Sequence, residues 1–394
     1  MSKLEQLIKE LCPDGVEYKK IKDIFKRLKG TPITAGKMKE IASVDGEILV
    51  IAGGKTIINA KEKDIPNSNI IRVPSVVIQS RGVIDVIYIE NSFTFKNEMW
   101  AYTADEKTTV KYLYYVLKNN VEYLRQSASG MGSLPQISLT VTEDFQIPLP
   151  PLPVQEEIVR ILDTFAELTA ELTAELTMRK QQYEYYRDSL LTFGEEVEWR
   201  TISDIGELVR GNGLPKADFT ESGVPAIHYG QIYTYYGNST VETKSFVSYE
   251  TAQKLKKVNY GDVIITNTSE NLKDVGKALL YLGTEQAVTG GHATIFKPSN
   301  IILGKFFVYI TQSLNFEKQK VKFAKGTKVI DVSANDMSKI LIPLPPLEEQ
   351  QRIVDILDRF DTLVNDIKIG LPAEIEARQR QYEYYRDKLL TFKK

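Results

Sequence analysis

Cysteine and histidine are almost missing from these 394 residues: there is one Cys and there are two His. The lone Cys12 excludes a disulfide framework and a cysteine-rich zinc site, and it fits a reducing cytosol. His228 and His292 have no Cys or His around them at metal-ligand spacing. Long apolar runs are missing too, so no segment is expected to cross a bilayer. The opening MSKLEQLIKELCPDG lacks the apolar stretch of a secretory signal; Leu4, Leu7, Ile8 and Leu11 instead mark one face of a short amphipathic helix. A soluble, cytoplasmic chain with no membrane partner is expected.

Reactive constellations are equally scarce. There is no Gly-x-x-x-x-Gly-Lys-Ser/Thr phosphate loop, since Gly276-Lys277-Ala278 lacks both the upstream glycine and the hydroxyl residue. There is no dinucleotide fingerprint and no Asn/Asp-Pro-Pro-aromatic sequence of the kind that grips an exocyclic amino group for methylation. Acidic pairs such as Glu156-Glu157 and Glu195-Glu196 fall at expected helix ends and read as solvated faces. The chain is therefore expected to bind rather than catalyse, with no catalytic residue, metal or cofactor of its own.

What the sequence does contain, it contains twice. Residues 147–163 read IPLPPLPVQEEIVRILD and residues 342–358 read IPLPPLEEQQRIVDILD, identical at 12 of 17 positions. Residues 182–193 (QYEYYRDSLLTF) return as 381–392 (QYEYYRDKLLTF), identical at 11 of 12. Residues 16–24 (VEYKKIKDI) resemble 197–205 (VEWRTISDI), which marks where each half restarts. Between restart and helix, residues 25–146 and 206–341 show no convincing alignment. The pattern is a matched frame carrying two different globular units.

Charge follows the same division. The chain carries a net −2, yet residues 18–147 hold 18 Lys/Arg against 14 Asp/Glu, and residues 198–342 hold 17 against 14. Residues 148–197 hold 4 against 10. Mildly basic units on an acidic frame suit nucleic acid on the units and protein on the frame.

Pro148, Pro150 and Pro151 impose an extended lead-in, after which one helix is expected over residues 154–193. Its stripe includes Ile158, Leu162, Phe165, Leu168, Leu172, Leu176, Tyr183, Tyr186 and Leu190 at three- and four-residue steps. In the second copy Ile353, Leu357, Phe360, Leu363 and Ile367 keep the stripe, Gly370-Leu371-Pro372 reads as a stop, and Ile375, Tyr382, Tyr385 and Leu389 resume it. Neither stripe is buried by its own helix, so the copies are expected to pair antiparallel about a pseudo-twofold axis. The expected boundaries are 1–147, 148–196, 197–342 and 343–394. Within the first helix Thr-Ala-Glu-Leu occurs twice, at 169–172 and 173–176. Four residues advance a helix by about 6 Å and slightly over one turn, so such units act as a length-adjustable spacer.

These motifs, the paired IPLPPL...Q..IV.ILD segments, the TAEL units, both QYEYYRD segments and the VE-aromatic restarts, together resemble the specificity subunit of type I restriction-modification systems. The resemblance covers essentially the whole chain. It implies an α+β fold: two mixed α/β target recognition domains joined by two long helices in an antiparallel coiled coil, a pseudo-twofold tandem repeat. It implies that each domain reads one half of a bipartite double-stranded DNA site. The helices would set the gap and receive two modification subunits, which carry S-adenosylmethionine and methylate adenine. Two restriction subunits, using ATP and Mg, join the complex in systems that cut. The competing reading is a structural adaptor with two protein-binding domains on a coiled-coil spacer.

Direct base readout needs polar side chains on loops that reach the major groove. In the first unit the candidates are Lys55, Ser80, Arg81, Lys96 and Asn97, which follow strand-like runs such as 48–51 and 76–78, with Arg125 and Gln126. In the second they are Arg210, Asn212, Lys216, His228, Gln231, Asn267, Thr268, Ser269 and His292, with Lys322, Lys325 and Lys328 as phosphate contacts. Leu168, Leu172, Leu176, Tyr183, Tyr186, Leu190, Leu363, Ile367, Ile375, Tyr382, Tyr385 and Leu389 are the candidate helix-pair or subunit interface.

Overall fold

The computed structural model describes residues 2–54, 56–66, 68–129, 135–366 and 368–393. Two compact units result: unit 1 is 1–171 with 375–394, and unit 2 is 172–374. These limits cut across the expected boundaries. Apolar residues of the long helices pack into the units' own cores.

Unit 1 begins with an antiparallel pair, Tyr18–Lys20 with Gln146–Pro148. A four-stranded sheet follows in the order Lys26–Leu28, Trp100–Thr103, Ser75–Gln79, Asp85–Ile89. The run Ser-Val-Val-Ile-Gln is buried throughout, which suits a central strand covered on both faces. A second sheet has the order Ile57–Ala60, Ile48–Ile51, Phe93–Phe95, the last two parallel. Both apolar runs expected to be strands are strands.

Unit 2 repeats this plan although its sequence does not. Trp199–Thr201 pairs with Leu341–Pro343 in the same antiparallel way. One sheet runs Gly206–Arg210, Ala293–Pro298, Val263–Thr266, Ala278–Tyr281, Ser239–Thr240, so its first four strands match the order in unit 1. The other holds Ser245–Val247 antiparallel to Val224–Ile227, which is parallel to Ala287–Thr289. That is the arrangement of 57–60, 48–51 and 93–95. Two more strands, Phe219–Thr220 and Lys256–Val258, widen it.

The first long helix, α1 (Leu152–Leu190), has 39 residues and ends three short of the expected limit. The second copy is broken as its sequence demands, into α2 (Leu347–Asn365) and α3 (Leu371–Leu389). At the break, a Cβ on Gly370 would lie 2.4 Å from the Thr362 carbonyl oxygen, so only glycine fits.

Within each unit the helical residues pack in matching ways. In unit 1 Phe165 stacks on Tyr385 at 5.5 Å, and in unit 2 Phe360 stacks on Tyr186 at 5.4 Å. These are equivalent residues of the two copies, paired in opposite chain order. Asp163 accepts from Lys111 and Tyr115, at 2.7 and 2.5 Å, in unit 1. Asp358 likewise takes Lys305 and Tyr309 in unit 2. Gln155 and Gln350 each donate to a proline carbonyl, Pro150 and Pro345, which locks the two lead-ins alike. The chain end completes unit 1: Val16 N–H donates to Lys393 and the Tyr18 hydroxyl to Phe392, both to backbone carbonyls.

The stripe is off by one residue in places. Leu363 is exposed whereas Val364 is buried, because the step after Phe360 is four rather than three. Leu191 and Leu390 are buried, whereas Leu190 and Leu389 are only partly covered. Tyr183 is buried against Phe360, and Leu176 and Leu190 pack partly into the same core. Tyr382 does so in unit 1. Leu172 and Ile375 are half-buried; Leu168, Tyr186 and Tyr385 keep substantial exposed surface. Ile367 lies outside the described residues.

At the start of α1, Glu157 is almost covered yet bonded to Arg160 at 2.7 Å and Lys3 at 2.9 Å. Chiefly the Arg160 guanidinium, opposed by burial and aided by Lys3, holds its carboxyl down at about 2 against an ordinary 4.5. A depressed carboxylate stabilises the fold fully above its unfolded pKa and loses that contribution as pH falls through the folded one. Glu157→Gln is therefore expected to lower the Tm at neutral pH and to flatten the acid limb of the Tm profile between about pH 4.5 and 2.

Candidate nucleic-acid interface

In unit 1 the central strand Ser75–Gln79 runs out into Ser80, Arg81 and Gly82. Ser80 is fully buried; its hydroxyl donates to the Glu98 carbonyl at 2.5 Å and its carbonyl accepts from Ile137 N–H. Gly82 turns the chain at φ +76°. Gln79 donates to the Gly54 carbonyl at 2.7 Å, tying the 53–54 loop beside Arg81. Arg81 itself is exposed, and its guanidinium has no hydrogen bond or ion pair among the described residues. It opens on a cavity of 650 Å³ lined also by Lys39, Gly53, Gly54, Lys96 and Glu98. Lys96 is bonded to Glu98 at 2.9 Å. Arg81 and Lys96 are thus brought together, and Lys39 and Glu98 join them from outside the sequence-derived set.

Other candidates in this unit point elsewhere. Arg125 donates to Glu122 and to the Ile84 carbonyl, so its guanidinium serves its own helix and an adjacent turn. Gln126 and Asn97 are exposed but do not line the cavity, and Lys55 lies outside the described residues.

In unit 2 the equivalent strand Val263–Thr266 runs into Asn267, Thr268, Ser269 and Glu270. The Asn267 carbonyl accepts from Val332 N–H just as that of Ser80 does from Ile137, which places the two loops at one topological position. Thr268 pairs opposite Asp331 as Arg81 does opposite Gln136. A cavity of 780 Å³ opens here, lined among others by Lys216, His228, Tyr229, Gln231, Ser269 and Glu270. His228 Nδ1 accepts from Gly230 N–H at 3.2 Å, which leaves the ring proton on Nε2. Burial, with Lys216 and His292 nearby, lowers its pKa and keeps the ring neutral. Tyr229 packs against both His228 and His292, at 4.5 and 4.8 Å between ring centres.

Several readers expected in this unit are structural instead. Asn267 is completely buried, donating to the Val332 carbonyl at 2.7 Å and accepting from the Thr294 hydroxyl at 2.9 Å. It and Ser80 are corrections to the reading from sequence: a buried polar group must bond inward, so neither reaches a base. Gln231 donates to Ser245 at 2.5 Å and Asn212 to the Lys254 carbonyl at 2.6 Å, so both amides hold the fold. Thr268 is buried against His292 Nδ1 at 3.0 Å. Arg210 donates to the Gly291 carbonyl at 3.4 Å and lies 3.9 Å from Asp331. Lys325 is engaged by Asp336 at 3.0 Å, whereas Lys322 and Lys328 are exposed with no partner among the described residues. No group of residues able to hold a metal ion occurs among those described, and no described helix is long and apolar enough to cross a membrane.

Two topologically matched loops with unlike side chains thus stand in the two units. Residues 13–178 and 194–377 each match the family described as type I restriction modification DNA specificity domain. The chain belongs to that family and is a DNA sequence-recognition subunit. It is 39% identical over 303 residues to the Escherichia coli type I restriction enzyme EcoR124I/EcoR124II specificity subunit, covering 74% of this chain and 72% of that one. It is 31% identical over 309 residues to a putative type I restriction enzyme specificity subunit of Haemophilus influenzae, covering 76% and 77%. The crystal structure of a type I restriction-modification S subunit from M. genitalium shares the fold, with a TM-score of 0.61 over 96% of this chain and 97% of the other at 16% identity.

Proposed function

We infer that each unit reads one half of a split, asymmetric DNA sequence. The observation that supports this is the matched strand-end loop, which carries Arg81 beside one cavity and Glu270 beside the other, where Lys216 and His228 join it from elsewhere in unit 2. One scaffold whose matched loops carry different side chains is the arrangement needed to read two different sequences. Residues 1–147 and 197–342 supply the readers; residues 148–196 and 343–394 supply the spacing and the docking surface for two modification subunits. Lys322 and Lys328 contact phosphates, which fix register without reading bases. The helix faces left exposed around Leu168 and Leu363 receive the modification subunits. Those subunits hold S-adenosylmethionine and transfer its methyl group to adenine, one on each strand, while this chain positions them. Where restriction subunits join, ATP and Mg belong to them.

The spacer gives a direct test. Inserting one Thr-Ala-Glu-Leu after Leu176 adds about 6 Å of helix, somewhat under two base-pair steps. Assayed with its modification partner on duplexes of graded spacing, the variant is expected to prefer a gap longer by about one or two base pairs, with both half-sequences unchanged. An altered half-sequence, or an unaltered gap, would count against the reading.

A further inference from the structure

Unit 2 holds an uncommitted carboxylate, a group that DNA phosphates would repel, on the rim of its cavity. Glu270 follows Ser269 at the end of a two-residue strand, is exposed, and has no hydrogen bond or ion pair among the described residues. The turn that carries it is fixed. Asn271 N–H donates to the Ser269 hydroxyl at 3.4 Å, the Asn271 amide to Asp274 at 2.7 Å, and Asp274 N–H returns to Asn271 Oδ1 at 2.9 Å. The neighbouring strand residue Thr268 is held by pairing with Asp331 and by Tyr233, whose hydroxyl donates to its carbonyl at 2.7 Å.

Most polar groups around the cavity are used up internally: Gln231 on Ser245, Asn271 and Asp274 on each other, Tyr233 on Thr268. Among the described residues, the Glu270 carboxylate is then the charged acceptor left without a partner, with the Lys216 ammonium, the His228 Nε2–H and the Tyr229 hydroxyl as donors. A carboxylate beside phosphates is unfavourable unless it accepts from an N–H group. In the major groove only cytosine N4 and adenine N6 offer one. The donors suit the acceptors that accompany either: N7 of the same adenine, or O6 and N7 of the guanine paired with that cytosine. The corresponding place in unit 1, two residues beyond Arg81, is Val83, which offers no acceptor.

We propose that Glu270 is a specificity-determining residue of the second half-sequence, accepting a hydrogen bond from the exocyclic amino group of one base while Lys216 and His228 donate beside it. This rests on the reading of unit 2 as a DNA reader. A single acceptor at a fixed place makes that one base intolerant of thymine or guanine, whose groove edges carry only acceptors there.

The test uses the complete chain assembled with its modification subunits and duplexes carrying its cognate sequence. In each probe one amino group of the second half-sequence is deleted: 2-pyrimidinone for a cytosine, purine for an adenine. At one position deletion should weaken wild-type binding by roughly 10- to 100-fold and Glu270→Ala binding by less than about twofold, and the probe type identifies the base. Glu270→Gln should show an intermediate loss. Because Glu270 is exposed and unpartnered, thermal melts of the variants should match wild type. A Glu270→Ala complex that binds every duplex more tightly by one common factor would mark a carboxylate that merely repels phosphates, and would overturn the assignment. Equal losses for wild type and variant at every position would overturn it too. If the wild-type complex fails to distinguish any second-half duplex from unrelated DNA, the reading of unit 2 falls, and this assignment with it.

Discussion

Asn267→Ala is expected to destabilise unit 2 by about 2–4 kcal/mol, enough to lower its Tm by roughly 6–12 °C. The size follows from what the amide does. Its side chain is fully buried and spans two elements, donating to the Val332 carbonyl and accepting from the Thr294 hydroxyl. Truncation leaves both partners buried and unpaired, a penalty of about 1–3 kcal/mol each less whatever local relaxation recovers, and opens a small void. The same bonds hold the loop from which Glu270 projects. Methylation should therefore fall for every sequence in proportion to the folded fraction, with no base position singled out. Differential scanning calorimetry of the purified chain checks this; a Tm within about 1 °C of wild type would show that the amide faces solvent and is free to read a base.

Arg81→Ala should do the opposite. The guanidinium is exposed and unpartnered, so the Tm should stay within about 1–2 °C of wild type. Arginine in the major groove pairs most often in bidentate fashion with guanine, a contact that gives about 1–3 kcal/mol of discrimination. Discrimination at one position of the first half-sequence should fall by roughly 10- to 100-fold while the second half is still read fully. Methylation assays on duplexes substituted singly across both halves separate the outcomes. A uniform loss over all sequences would reassign Arg81 to a phosphate, and an unchanged profile would remove it from the interface.

The frame was legible because its constraints are local. Prolines 148, 150 and 151 force the lead-in, Pro153 falls in the first turn where proline is tolerated, a stretch free of Gly and Pro carries the helix on to Leu190, and Gly370 ends a helix where a side chain would strike Thr362. The likeness of the two units was not legible. A sheet needs buried, mostly β-branched runs but is indifferent to which ones, so Val76–Gln79 and Val263–Thr266 hold the same position with runs too short and too common to mark a repeat. Side-chain direction at strand ends was the second failure. Ser80 and Asn267 look like loop readers by residue type, yet the sheet-to-loop junction leaves backbone carbonyls of Glu98 and Val332 that these two side chains satisfy. Leu363 against Val364 turned on a three- or four-residue step, which helical periodicity alone leaves ambiguous. Nothing in the sequence marks Glu270; it is singled out only by its place on a cavity beside uncommitted donors.

Two different readers on one chain are the central claim. Single-molecule sequencing of methyladenine in cells carrying this chain with its modification partner tests that most directly. The predicted result is one split sequence, with two unlike half-sequences, an unread gap of constant length, and methylated adenines on opposite strands. A continuous, symmetric motif without a gap would contradict it.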